Sequence, residues 1–390
     1  MKLAILGTRG VPPRYGGFET FAAELSRRLV LRGHTVTVYC RPANGPHSQS
    51  LPDWEGVRRI ELPAAGHKYF ETVSHTLLSA FDALRRDFDA VLLCNAANAF
   101  VLPLLRAARI PIAINVDGIE RRRRKWNILG KAVYAAGEAF SVTFASRIVA
   151  DAEVIADYYR ETFAAEPVII PYGSEFPEEP DSDVLARLGL SPRGYVLYVS
   201  RFEPENNPLE VAEAYQKLLR SEPPENVPPL LMIGEARYDK RLGERLQQLA
   251  SNRILLPGAL YGSDYRTLQR HALIYIQATE VGGTHPAMIE AMASGGCVLA
   301  NATPENREVG GDAVRYFSLG SAATLSGETL SGMLRECLAD PGGREEMRER
   351  ARRRAAGRYG WERVTDRYET LFGEISRARL DALTGSSVHR

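Results

Sequence analysis

A cation just past the end of a buried strand and a carboxylate early in a helix can together hold a diphosphate and a sugar diol, and this chain has both. Arg201 ends the apolar run 194–200. Glu290 lies in 287–294, a stretch of helix-forming composition. Between the preceding apolar run, 272–276, and that stretch stands Thr279-Glu280-Val281-Gly282-Gly283-Thr284-His285-Pro286. This is the pattern of a strand, a glycine turn and a helix start. Gly282 and Gly283 carry no side chain, so backbone N–H groups at the helix start can approach a phosphate or diphosphate closely. Glu290 would accept from two neighbouring ribose hydroxyls. The same residues also satisfy a tight strand-to-helix turn with a dipole-favoured glutamate, and Arg201 has Glu203 and Glu205 within reach as ion-pair partners. Both readings stay open on these residues alone.

Elements on this scale need two frames to hold them. A chain of 390 residues exceeds one ordinary core and predicts two domains of nearly two hundred residues each. The formal net charge is +1, so no global attraction draws the molecule to nucleic acid. Cys40, Cys94, Cys297 and Cys337 are scattered, without zinc or disulfide spacing. That fits a reducing cytoplasm. The start of the chain is apolar too briefly before Arg9 for a signal peptide, and no run reaches membrane-spanning length. Any membrane contact would come from the inner face, outside the bilayer.

The order of elements is alternating. Residues 2–7 predict a strand, 7–17 a glycine and proline loop, 18–32 a helix ending at Gly33, and 34–40 a second strand. This opens a Rossmann-like unit whose first turn faces a ligand. The loop lacks the compact G-x-G-x-x-G spacing, which argues against a dinucleotide cofactor. Strands follow at 57–62, 90–94, 112–116 and 147–150, with a helix at 71–86. Acid and proline in 175–183 mark a linker. A second strand series follows at 194–201, 230–234, 254–257, 273–276, 297–301 and 313–317. The predicted fold class is α/β, with two Rossmann-like domains facing across a cleft. The first covers 1–174 and is completed by a C-terminal helix at about 361–380; the second covers 175–360. A polar tail, 384–390, is expected to be loose. No Walker loop, Ser/His/Asp set or metal-ligand cluster is visible.

After the strand at 112–116 come Asp117 and then Arg121-Arg122-Arg123-Arg124-Lys125-Trp126. Such a run is either a solvated face or, with Trp126 and the apolar residues Ile128, Leu129 and Val133 behind it, a site for phosphate or headgroup docking. His67, Lys68 and His75 are further candidates for an acceptor side, against the alternative of surface or core histidines.

Several of these stretches, taken jointly, resemble a retaining GT-B glycosyltransferase of family 4. They are Gly16-Gly17-Phe18-Glu19, Ile170-Pro171-Tyr172-Gly173, Ser200-Arg201-Phe202-Glu203-Pro204-Glu205-Asn206-Asn207, Val281-Gly282-Gly283-Thr284-His285-Pro286 with Glu290, and Trp361-Glu362-Arg363. More narrowly, residues 7–12 through Phe21, Asp117 before Trp126, and the Glu-Pro-Glu-Asn-Asn run resemble the bacterial rhamnosyltransferase-like branch.

The resemblance implies a nucleotide-sugar donor, with deoxythymidine diphosphate rhamnose favoured, bound mostly by the second domain. It also implies a saccharide or lipid diphosphate-linked acceptor bound mostly by the first, with Glu19 and residues 121–126 on that side. Transfer would proceed with retention and without a cofactor or metal ion, for cell-surface polysaccharide synthesis. Glu290 would hold the ribose and Arg201 the diphosphate. Gly16 and Gly17 would close over the phosphates, the backbone around Gly283 to His285, with Gly282 and Thr284 on the donor side, would face the donor sugar or its phosphate, and Asp117 would lie near the reacting sugar. An aspartate there also suits a helix cap. Two positions depart from the wider family: Gly282 stands where it usually has a glutamate, and Asn206 where it usually has a lysine. A nucleotide-sugar epimerase and a non-catalytic sugar-nucleotide-binding subunit are the competing expectations.

Overall fold

Short apolar runs such as Ala90–Cys94 and Leu230–Ile233 build the inner strands of both sheets, as burial on two faces requires. The structure, a computed structural model, describes residues 1–13, 17–42, 53–66, 70–123, 127–175, 181–237, 239–319 and 328–384, with backbone alone at 122, 224 and 383. The chain divides into two units. One holds Met1–Arg122, the sequence up to Tyr172 and the chain from Trp361; the other holds Gly173–Gly360 together with a short piece that begins at Arg123.

In the first unit the strands are β1 (Lys2–Leu6), β2 (Thr35–Cys40), β3 (Asp53–Trp54), β4 (Val57–Glu61), β5 (Ala90–Cys94), β6 (Ile112–Asn115), β7 (Arg147–Ala150) and β8 (Val168–Ile169). They form one sheet in the order β3-β4-β2-β1-β5-β6-β7-β8. All its pairings are parallel except β3 with β4. β3 is only two residues long, Asp53 and Trp54, too short for the sequence pattern to reveal. Leu93, Ile114 and Ala150 of the sheet pack with Leu102, Leu105 and Ile155 of its helices.

The C-terminal helix belongs to this unit and runs Trp361–Thr384, slightly beyond the expected end. Phe21 of helix Gly17–Leu31 stands 5.4 Å from Tyr368 and 6.3 Å from Trp361. Arg32 binds Glu362, Asp366 and Glu369 at 2.7, 2.6 and 2.8 Å. Apolar packing with a shared three-carboxylate partner fixes the helix from both ends of that contact.

The second unit carries β9 (Val196–Val199), β10 (Leu230–Ile233), β11 (Ile254–Gly258), β12 (Ile274–Gln277), β13 (Val298–Asn301) and β14 (Arg315–Phe317), all parallel, in the order β11-β10-β9-β12-β13-β14. Val196, Met232, Ile276 and Leu299 meet Val211, Tyr215 and Leu334 in its core. The first strand of each unit has a neighbour on either side, so chain order reverses between β1 and β5 and again between β9 and β12. Loops leaving such a pair diverge, and the gap beyond their carboxyl ends is where open α/β sheets bind ligands. No helix among the described residues is long and apolar enough to cross a membrane.

Candidate functional site

The loops after β9 and β12 bring together most of the expected donor residues. Asn207, in left-handed conformation at φ 57°, lies at the start of helix Pro208–Ser221. Its side-chain amide donates to the Ala278 carbonyl at 2.8 Å. Asn306, fully buried, donates to the carbonyls of Thr279 (3.2 Å) and Asn301 (2.9 Å). The Glu280 N–H donates to the Glu205 carbonyl at 2.8 Å. Two buried asparagines and one backbone bond thus hold the incoming limb of the glycine turn from behind, satisfying its carbonyls without occupying its outer face. The pair in Glu-Asn-Asn is the signal that could have pointed to Asn207; nothing in the sequence pointed to Asn306.

Helix Pro286–Ala293 follows the turn. Pro286 supplies no N–H at the first position, where proline fits best. The amides of Met288 and Ile289 both donate to the His285 carbonyl, at 3.0 and 3.2 Å. Fewer first-turn amides therefore face outward than a helix start ordinarily offers. Side chains beside the turn thus add to what the helix start can offer a diphosphate.

Arg201 has that capacity. Its side chain is 47% exposed, and its partner Glu203 lies at 4.0 Å, the outer limit of an ion pair. Asn206 is directed elsewhere: it is buried, its amide donates to the Arg201 carbonyl at 2.6 Å, and its own carbonyl accepts from Tyr198 at 2.6 Å. The residue standing where the wider family has a lysine thus pins the loop that carries Arg201.

Gly282 and His285 form one feature. A Cβ on Gly282 would lie 2.5 Å from Cε1 of His285, so the imidazole covers the volume a side chain would need. Burial, then the charge of Arg123, lowers the His285 pKa to about 4, keeping the ring neutral near pH 7. Its Nε2 is buried and has no hydrogen-bond partner. The Glu290 carboxyl is pushed up to about 7 by burial, against a hydrogen bond from Tyr265 and the charge of Arg266.

The arginine run does not form a uniformly basic face. Arg123 is buried and pairs with the fully buried Glu205 at 3.6 Å, inside the second unit. Arg121 stacks over the Tyr158 ring at 5.1 Å and pairs with Glu138 at 3.3 Å. Two of the four arginines are thus paired with buried carboxylates, and the burial of Arg123 corrects its reading as a docking group. The side chain of Arg122 and all of Arg124, Lys125 and Trp126 lie outside the described residues.

The other expected residues fall in the first unit. Glu19 is buried, accepts from the Arg9 amide at 3.1 Å, and has its pKa raised by burial. Gly17 opens helix Gly17–Leu31; Gly16 is not among the described residues. Asp117 follows β6 in left-handed conformation at φ 55°, its N–H donating to Asn115 Oδ1 at 3.0 Å. His75 is fully buried, and burial lowers its pKa, the properties of a core histidine; His67 and Lys68 lie outside the described residues. Among the described residues no cluster of ligand types could hold a metal ion.

Comparisons with known proteins agree with this architecture. Residues 16–173 match the family described as Glycosyl transferase 4-like domain, and residues 187–354 match Glycosyl transferases group 1. A sucrose-phosphate synthase from Thermosynechococcus elongatus superposes with a TM-score of 0.80 at 18% identity, covering 97% of this chain and 99% of that one. The Anabaena protein HepE in complex with UDP and glucose superposes with a TM-score of 0.74 at 17% identity, covering 96% and 100%. The lipopolysaccharide 1,2-N-acetylglucosaminetransferase of Salmonella typhimurium is 23% identical over 240 residues, 57% of this chain and 61% of that protein. The chain thus spans about three-fifths of the length of that curated relative. With one matched domain in each unit and two Rossmann-like sheets, the chain has the GT-B fold, its first unit carrying a glycosyl transferase 4-like domain and its second a group 1 glycosyltransferase domain.

Proposed function

We propose that the protein transfers a hexosyl group from a nucleoside diphosphate sugar to a saccharide or lipid-linked saccharide acceptor, with the donor held at the β9/β12 turn. The observation that carries this is the grouping of an exposed arginine, a partnerless imidazole nitrogen and a carboxylate beyond the two strand ends where chain order reverses. Arg201 neutralises the diphosphate, Glu290 accepts from the pentose, and His285 Nε2 meets a donor-sugar hydroxyl.

Transfer proceeds with retention by front-face substitution. The bond from the anomeric carbon to the diphosphate oxygen breaks, and a bond to the acceptor oxygen forms on the same face. The acceptor proton passes to the leaving diphosphate, so no protein nucleophile is needed. Charge on the leaving group is greatest in the transition state, which is where Arg201 acts. Asp117 lies near the reacting carbon in this scheme. The reaction takes no metal ion, and EDTA should leave turnover unchanged. The motifs favour deoxythymidine diphosphate rhamnose as donor, while the names of the similar proteins favour glucose or N-acetylglucosamine.

A thermal-shift panel of nucleoside diphosphates and their sugars ranks the donors, since a ligand of the native state raises Tm by mass action. A selective shift lost in Glu290→Ala supports the assignment; no shift with any nucleotide overturns it. Arg201→Ala should lower kcat by about 10²–10³-fold, and an unchanged rate would remove Arg201 from the mechanism.

A lipid-linked acceptor requires approach to a membrane at the cytoplasmic face. With Arg123 buried and Arg121 paired to Glu138, the surface suited to it is helix Ile128–Phe144, where Ile128, Leu129 and Val133 are 88%, 73% and 54% exposed. Leu129→Asp should weaken binding to anionic vesicles and leave nucleotide affinity intact; undiminished vesicle binding would rule this face out.

A further inference from the structure

Helix Gly262–His271 sets Tyr265 and Gln269 against the glutamate. The Tyr265 hydroxyl donates to Glu290 Oε2. Gln269 Nε2 donates to that same hydroxyl oxygen at 2.8 Å and to the Ala287 carbonyl at 3.2 Å. Gln269 is only 1% exposed, and the Ala287 bond ties its amide to the helix that carries Glu290. A phenol has one proton to donate. Because its oxygen accepts from Gln269, that proton is committed to Glu290, and the relay runs in one direction, from Gln269 through Tyr265 to the carboxylate. Among the described residues no other hydrogen bond reaches the Glu290 carboxylate.

We infer that Tyr265 is a positioning residue that leaves Glu290 a single unshared oxygen, Oε1, so that the site reads one hydroxyl of the donor pentose and not two. This rests on the assignment of Glu290 as the pentose acceptor. A carboxylate with both oxygens open takes a vicinal 2′,3′-diol with two charge-assisted bonds. With one lone pair of Oε2 taken by the phenol, that oxygen is a weaker and less accessible acceptor for a second hydroxyl, and its contribution falls. The consequence concerns ligand class. A 2′-deoxyribonucleoside diphosphate, which keeps only the 3′-hydroxyl, loses little against its ribo counterpart.

Matched pairs that differ only in the 2′-hydroxyl test this directly: UDP with dUDP, ribothymidine diphosphate with dTDP, and GDP with dGDP. Affinities are measured by calorimetry on the wild type and on Tyr265→Phe, which removes the hydroxyl and keeps the ring. The expected result is a ribo-to-deoxy ratio within about threefold on the wild type, rising to about tenfold or more in the variant as Oε2 opens to the second hydroxyl. A purely structural role for Tyr265 would change both members of a pair equally. A wild-type preference for the ribo form of about tenfold, or a ratio unaltered by Tyr265→Phe, overturns the inference while leaving the donor site standing. If no pair binds the wild type, the donor site and the inference fall together.

Discussion

Each sheet reverses its strand order once, and the two reversals are finished in opposite ways. Between β1 and β5 the polar capacity is turned inward. Asn98 donates to the carbonyls of Cys94 (2.7 Å) and Gly7 (3.3 Å) and accepts from Thr76 at 2.9 Å. Gly7, at φ 87°, has no room for a side chain, because a Cβ would run into the Cys94 carbonyl and the Asn98 amide. Between β9 and β12 the asparagines hold the backbone from behind, while His285 Nε2 has no partner and Arg201 stays exposed. A hydrogen-bonding group that a fold leaves unsatisfied carries a cost in the empty protein, and under the proposed function a polar ligand would relieve that cost at His285 Nε2. Glycine has a different meaning at each. At Gly7 the backbone demands it; at Gly282, where no left-handed angle is required, only the movable His285 ring excludes a side chain.

The sharpest way to break this contrast is to put alanine at both glycines. Gly7→Ala combines a left-handed alanine with an overpacked backbone contact, and should cost about 2–6 kcal/mol in urea unfolding, or prevent folding. Gly282→Ala should cost under about 1 kcal/mol, because a ring can swing away where a carbonyl cannot, yet it displaces His285 and weakens nucleotide-sugar binding. Equal stability losses would show that the second turn is as rigidly determined as the first.

Next in size is Arg123→Ala. It leaves Glu205 fully buried without its ion-pair partner, at a cost of about 3–5 kcal/mol. Adding Glu205→Gln should recover much of that loss, since the uncompensated charge goes too. A loss that the second substitution does not relieve would locate the effect in packing, and the charge pair would not be what supports the turn.

Much of this was legible in the sequence, and the limits are physical. Ala90–Cys94 announces a strand buried on both faces because every residue in it is apolar or a buried cysteine, and the glycine turn shows through the helix-forming stretch after it. The pairing of Arg121 and Arg123 was not legible, because nothing local distinguishes an arginine facing water from one facing Glu138 or Glu205, 17 and 82 residues further along the chain. Tyr265 and Gln269 escaped for the same reason: they become part of the site only when their helix packs against Pro286–Ala293. Gly282 was visible as a departure, but its link to His285 depends on a ring orientation that spacing does not encode.

The smallest effect separates two groups on the second turn by the sign of their pH dependence. His285 titrates near 4 in the folded state against an ordinary 6.5, so the native protein binds fewer protons there, and stability falls as pH drops from about 6.5 toward 4. Glu290 titrates near 7 against an ordinary 4.5, so the native protein binds more protons, and stability falls as pH rises from about 4.5 toward 7. Each contribution reaches at most about 3 kcal/mol, and in the wild type the two largely offset one another. Substituting either group should expose the other: His285→Gln should lose stability as pH rises through this window, and Glu290→Gln should gain it. Nucleotide affinity of the wild type should also increase from pH 6 to 8, because an ionised Glu290 is the better acceptor for a pentose hydroxyl, and this rise should vanish in Glu290→Gln. Parallel pH profiles for the two variants, in urea unfolding and in calorimetric binding, would show that neither group senses the buried turn, and the contrast with the β1/β5 reversal would then rest on the glycines alone.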